Sequence, residues 1–246
     1  MIYNDIINSG RKFFAVLIDP EFHSAVSASR IARLASDAGT DIILVGGSLT
    51  SRPIDDIVVS VKKSSSCPVI LFPGNLFQVS GKADGILLNS LISGRNPEYL
   101  IGNHVLISQF LKKTGMEIIP TGYILTDGHP FSSVEYISNT RPIPSDKPDI
   151  IAATALAGEQ LGMKLIYIEA GSGAGTKVGH KAIARVKETV TIPVIAGGGI
   201  KTPDDIRSLY MAGSTGVVVG SAIENDPDVI RRLAEVKEEF RDKTAR

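Results

Sequence analysis

Eight short apolar runs recur along the 246-residue chain: FFAVLI (13–18), DIILV (41–45), VILF (69–72), GILL (85–88), IIPTGYIL (118–125), LIYI (165–168), PVIA (193–196) and VVV (217–219). Most are apolar without a break, the pattern of strands covered on both faces, as in a parallel sheet. Helical patterns lie between them with their own punctuation. His23-Ser24 precedes AVSASRIARLASDAG, Thr202-Pro203 precedes DDIRSLYMAG, and Asp226-Pro227 precedes DVIRRLAEVKEEF, while Gly39 and Gly213 stand where the first two should stop. Eight strands in mainly βα order in a chain of this length predict an α/β fold of the TIM (β/α)8 barrel type, one domain over residues 1–246, with its ligand site in the loops at the C-terminal strand ends.

Two stretches depart from the repeat. PGNLFQVSGKAD, between the third and fourth runs, has two glycines and no helical period, so no proper helix is expected there. Thr126 to Pro148 (TDGHPFSSVEYISNTRPIPSDKP) is too long for an ordinary βα turn. It can serve as a lid over the barrel mouth, or as a surface excursion or oligomer contact.

The remaining composition narrows the partners. The 26 basic and 26 acidic side chains cancel and form no block of one sign, so no global field recruits nucleic acid or an anionic membrane, and any anionic ligand must be held locally. The single Cys67 excludes an internal disulfide and fits a reducing compartment. No apolar window approaches the ~18 residues needed to span a bilayer, and the N-terminus lacks the pattern of a signal peptide. A cytoplasmic protein without stable membrane insertion is expected.

Three strand ends in the C-terminal third finish on glycines: YIEAGSG (167–173), VIAGGGI (194–200) and GVVVGSA (216–222). Glycines let backbone N–H groups approach a phosphate, and the seventh and eighth strands of such barrels form a recurrent phosphate site. Asp19, directly after the first run, should stand on the same rim. Ser48, in VGGS after the second run, should lie near it, so that a carboxylate, a hydroxyl, water and substrate oxygens suit Mg²⁺. Tyr167 and Glu169, two apart on the sixth strand, share a face, while Ile168 points the other way. If that face is the interior, Glu169 is a candidate general base or orienting acceptor for a substrate hydroxyl. The alternative is a structural Tyr–Glu hydrogen bond. His23, His104, His129 and His180 show no metal-ligand spacing, and no GxSxG, CxxC or P-loop pattern occurs.

With IDPE at 18–21, VGGS at 45–48, YIEAGSG at 167–173, AGGGI at 196–200 and VGSA at 219–222, the chain resembles the geranylgeranylglyceryl phosphate synthases in order along essentially its whole length. RNPEYLIGNHV (95–105) is similar to that family as well. The resemblance implies a modified barrel whose third helix is replaced by an extended segment, in agreement with the irregular PGNLFQVSGKAD. It implies transfer of an isoprenoid from geranylgeranyl diphosphate to sn-glycerol 1-phosphate, with release of diphosphate. It places Asp19 and Ser48 at the Mg²⁺ residues. The glycerol phosphate site would comprise Tyr167, Ile168, Glu169, Ala170, Gly171, Ser172 and Gly173 with Gly198, Gly199, Gly220 and Ser221. Asp19, Tyr167 and Glu169 are then the catalytic candidates. Tyr99 would limit the depth of the prenyl trough, or be an ordinary core aromatic on a helix from Pro97 to Lys113. NPEYLIG is similar to the archaeal and Bacteroidetes branch rather than the bacterial heptaprenyl branch, and the resemblance implies a homo-oligomer, a dimer or hexamer.

Three other readings compete. A heptaprenylglyceryl phosphate synthase would share the chemistry with a deeper trough. A phosphosugar isomerase or aldolase-like barrel would need a Schiff-base lysine or paired bases inside the barrel, yet no lysine falls in any of the eight runs. A barrel that only binds a phosphorylated metabolite would have no use for Asp19, Ser48 and Glu169 together.

Overall fold

The computed structural model describes residues 1–128, 132–171 and 174–244. The strands are β1 (Phe13–Ile18), β2 (Ile42–Val45), β3 (Val69–Leu71), β4 (Gly85–Leu91), β5 (Glu117–Leu125), β6 (Leu165–Glu169), β7 (Val194–Gly197) and β8 (Gly216–Val219). They pair in parallel in sequence order, and β8 returns to β1 through Phe14↔Val217 and its neighbours to close the barrel. Successive side chains enter two separate apolar layers. Phe13 and Ala15 of β1 point into the barrel with Leu165 and Tyr167 of β6, whereas Phe14, Val16, Ile166 and Ile168 face the surrounding helices. Both layers are dry, which is why the runs carry no polar alternation.

The outer ring consists of α1 (Ala25–Asp37), α2 (Asp55–Ser64), α3 (Asn103–Thr114), α4 (Ser133–Ser138), α5 (Pro148–Gln160), α6 (His180–Thr189), α7 (Pro203–Met211), α8 (Ser221–Asn225) and α9 (Val229–Ala234). Ser24 caps α1 by accepting from the Ser27 N–H, and Ala28, Ile31, Ala32 and Ala35 form its buried stripe. Thr202 and Asp205 form a reciprocal capping box on α7, with Pro203 in its first turn. Gly39 and Gly213 follow α1 and α7 at φ of 75° and 107°.

No α-helix joins β3 to β4. A single 3₁₀ turn, Leu76–Gln78, stands there, and the buried Gln78 holds the adjacent rim together. Its Oε1 accepts from the Gly47 and Gly74 N–H groups at 2.9 and 3.0 Å, and its Nε2 donates to the Gly47 carbonyl at 2.9 Å. Two expected helices differ from expectation. The stretch from Pro97 to Lys113 is not one regular helix: it opens with a wide π turn, Glu98–Gly102, in which the Asn103 N–H reaches back to the Glu98 carbonyl, and only then becomes α3. The Glu98 carboxylate packs over Gly102, in the space a side chain there would take. The last expected helix, DVIRRLAEVKEEF, is α-helical only over Val229–Ala234, and before it the Asp226 carboxylate accepts from the Asp228 N–H in an Asx turn. It then tightens to a 3₁₀ form over Glu235–Thr244.

Within the stretch 126–148, of which residues 129–131 lie outside the described residues, α4, capped by Ser132, puts Val134, Ile137 and Ser138 on the wall of the central cavity. No helix of the described residues is long and apolar enough to cross a membrane.

Candidate active site

A cavity of about 350 Å³ opens at the C-terminal ends of the strands. Its lining combines apolar side chains, Leu17, Phe72, Leu91, Val134 and Ile137 among them, with Asp19, Ser48, Glu169, the Gly198-Gly199 turn and the Gly220-Ser221 pair. Such a combination suits a ligand with a hydrocarbon part and an anionic part.

Strand alternation on β6 turns both Tyr167 and Glu169 inward. The Tyr167 ring is fully buried between Phe72 and Tyr123, with centroids 4.9 and 5.4 Å away. Glu169 stands above it and is 6% exposed. Burial pushes its carboxyl up from an ordinary 4.5 to about 7, opposed by the Tyr167 hydroxyl and by the Gly171 N–H, which donates to Oε1 at 3.1 Å. A carboxyl that titrates there can accept a proton near neutral pH. The Tyr167 hydroxyl lies close enough to the carboxylate to oppose its shift, yet it lacks a well-aligned hydrogen-bond partner. The Asn89 Oδ1 atom, on another wall, is likewise buried without a partner.

The β7 glycines make room for this pair. A Cβ on Gly197 would lie 2.1 Å from the Tyr167 hydroxyl and 2.9 Å from Glu169 Oε2, and one on Gly198 would lie 2.3 Å from Glu169 Oε1. Gly198 and Gly199 also take φ of 79° and 69°, conformations that side chains disfavour. The glycine run therefore accommodates the candidate base as well as exposing backbone. Among the described residues of the YIEAGSG segment, Tyr167 and Glu169 reach the cavity with their side chains. The Ile168 and Ala170 side chains pack into the outer layer, which leaves their backbone groups as the atoms that could face a ligand, and the Gly171 N–H already serves Glu169. Ser172 and Gly173 lie outside the described residues.

Across the mouth the Asp19 carboxylate packs directly on Gly47, 2.1 to 2.7 Å from where a Cβ there would stand, beside Ser48. Its Oδ1 accepts from the Glu21 N–H at 2.9 Å, no cation among the described residues pairs with it, and burial raises its pKa. Glu224 faces the same space, and its carboxyl is raised by burial and then by the charge of Asp19. Among the described residues no three acidic, His or Cys groups converge as a ready-made metal cage. The donor set nevertheless fits a hard divalent cation that takes one or two carboxylate oxygens, a hydroxyl, water and ligand oxygens. Tyr99, half-buried, reaches the apolar wall and donates to the Ile137 carbonyl at 3.4 Å. It also lines a second recess of about 40 Å³ with Leu76, Val79, Leu88 and Ile107, on the side where the third helix is missing. None of the described histidines lines the main cavity.

Phe72, Tyr123, Gln78 and Glu224 were not singled out from the sequence. Phe72 and Tyr123 lie in recognised strand runs, and only barrel closure brings their rings together. Glu224 follows Ser221 by three residues, a helical spacing that could have indicated a shared rim.

The PcrB family model matches residues 4–238. A geranylgeranylglyceryl phosphate synthase from Spirosoma linguale is 47% identical over 240 residues, spanning 97% of this chain and 96% of the relative. The synthase from Pyrococcus abyssi is 40% identical over 242 residues, with 96% and 95% covered. The crystal structure of (S)-3-O-geranylgeranylglyceryl phosphate synthase from Thermoplasma acidophilum, in complex with substrate sn-glycerol-1-phosphate, superposes with a TM-score of 0.92 at 34% identity, covering 98% of this chain and 99% of that one. With the closed barrel, the paired Tyr167 and Glu169 and the glycine rim in place, these matches establish that the chain belongs to the PcrB family and, within it, to the geranylgeranylglyceryl phosphate synthases.

Proposed function

We propose that the protein transfers the geranylgeranyl group from its diphosphate to the 3-hydroxyl of sn-glycerol 1-phosphate in a Mg²⁺-dependent reaction. The observation that carries this reading is a buried carboxyl titrating near 7, set among glycines in a half-apolar mouth that also holds the Asp19 carboxylate, which has no cation partner among the described residues. The glycerol phosphate complex of the Thermoplasma acidophilum relative supports the nucleophile.

In this reading the phosphate rests against Gly198, Gly199, Gly220 and Ser221, with Ser172 and Gly173, and the 3-hydroxyl points at Glu169. Ionised Glu169 takes the hydroxyl proton as the oxygen attacks the allylic carbon, and Tyr167 orients the carboxylate from below. Asp19 and Ser48 would hold Mg²⁺, which when bound would supply Lewis-acid stabilisation of the charge on departing diphosphate. Phe72, Leu91, Val134 and Ile137 cover the isoprenoid and exclude water from the allylic centre. Tyr99 bounds the depth available to the chain. Ile101, Val105, Leu106 and Phe110, all exposed on or beside α3, support a homo-oligomer, dimer or hexamer.

The test is incubation with sn-glycerol 1-phosphate, Mg²⁺ and prenyl diphosphates of C20 and C35, with and without chelator, followed by mass analysis. Chelator-sensitive C20 ether product is expected. Preferential C35 product would replace the donor assignment, and no ether product from any donor would overturn the transferase reading.

A further inference from the structure

The cavity is poorly matched in charge to the anions it is proposed to receive. Among the described residues lining it, Asp19, Glu169 and Glu224 are the acidic ones and Lys201 is the basic one. Lys201 is placed by the turn already described. Gly198 and Gly199 reverse the chain at positive φ, Ile200 is buried as an anchor, and Lys201 emerges on the rim two residues beyond Gly199. The turn is tightly held, since a Cβ on Gly199 would lie 2.9 Å from the backbone of Lys177.

The nearby carboxylate is already engaged. Asp205 accepts from the backbone N–H groups of Lys201 and Thr202 at 3.0 and 2.9 Å, and its other oxygen takes the ammonium of Lys177. The Lys201 ammonium has no ion pair or hydrogen bond among the described residues, and no cation is among the influences on Glu169. An exposed, unpaired ammonium beside the phosphate-accepting glycines provides the full positive charge that backbone N–H groups cannot.

We propose that Lys201 is the counter-charge for the phosphate of glycerol phosphate and determines its affinity, a role that rests on the substrate reading above. Asp19 and Ser48 serve the diphosphate end, and Lys201 serves the other anion.

Calorimetric titration of sn-glycerol 1-phosphate into wild type, Lys201→Met and Lys201→Arg tests the assignment. Loss of one charge-assisted contact should weaken binding by about tenfold in Lys201→Met, and Lys201→Arg should recover most of it. Added salt should weaken wild type more steeply than Lys201→Met. In turnover the loss should appear in KM for glycerol phosphate rather than in kcat. Inorganic pyrophosphate with Mg²⁺ should bind wild type and Lys201→Met alike. Equal glycerol phosphate affinity in wild type and Lys201→Met, or a loss confined to pyrophosphate, would overturn the role of Lys201. Failure of wild type itself to bind glycerol phosphate would instead overturn the substrate reading.

Discussion

Replacing Glu169 by Gln should abolish transfer and stabilise the protein at the same time. The carboxyl is raised from 4.5 to about 7, chiefly by burial, so folding holds a proton that the unfolded chain releases near 4.5. Between these values the folded state binds more protons than the unfolded one. Stability attributable to this group is therefore full below about 4.5, falls as pH rises, and levels off above about 7. The difference in pKa corresponds to about 3 kcal/mol at pH 8. Gln removes the ionisation and retains an acceptor for the Gly171 N–H, while burial of its amide offsets part of the gain. A net stabilisation of about 1 to 3 kcal/mol remains, or roughly 2 to 12 °C in melting temperature for a chain of this size. The assay compares melting of wild type and Glu169→Gln from pH 4 to pH 8. The curves should separate as pH rises, while transfer falls by about 10² to 10⁴. The same ionisation should give wild-type kcat/KM a limb near pH 7, rising with pH, that is absent in Glu169→Gln. Parallel stability profiles combined with retained turnover would refute both the burial argument and the assignment of the base.

Asp19→Asn should reduce transfer by at least about 10² while glycerol phosphate still binds, because the charge removed belongs to the opposite side of the mouth; turnover and calorimetry together check this. Gly198→Ala should cost about 1 to 3 kcal/mol through its positive φ and displace Glu169, read as a lower melting temperature and a shifted pH limb. Tyr99→Ala should join the main cavity to the recess lined by Leu76, Val79 and Ile107 and move product length upward in a mixed C20 and C35 assay, measured by mass spectrometry.

Much of the barrel could be read directly. Each apolar run became a strand because a β-strand buried on both faces leaves an uninterrupted signature, and Ser24, Thr202 and Pro203 start helices through local hydrogen bonds and a preset φ. The missing third helix was equally visible, because PGNLFQVSGKAD has no apolar stripe to bury. The π turn at Glu98–Gly102 was not visible, since the run from Pro97 to Lys113 reads as one continuous helical stretch.

For the site, sequence alone determined which residue types stand at the strand ends. Asp19, Ser48, Tyr167, Glu169 and the glycines are local facts of spacing, and strand periodicity puts Tyr167 and Glu169 on one face wherever the strand lies. Only the tertiary structure decided what that face meets. Closure of the barrel brings Phe72 and Tyr123, distant in sequence, onto Tyr167, and burial so produced raises Glu169 to about 7. It also sets Gly197 and Gly198 beneath the Glu169 carboxylate and leaves Lys201 as the one basic group among the described residues lining the mouth. Spacing along a chain specifies direction, whereas desolvation and charge balance depend on every wall of a cavity at once.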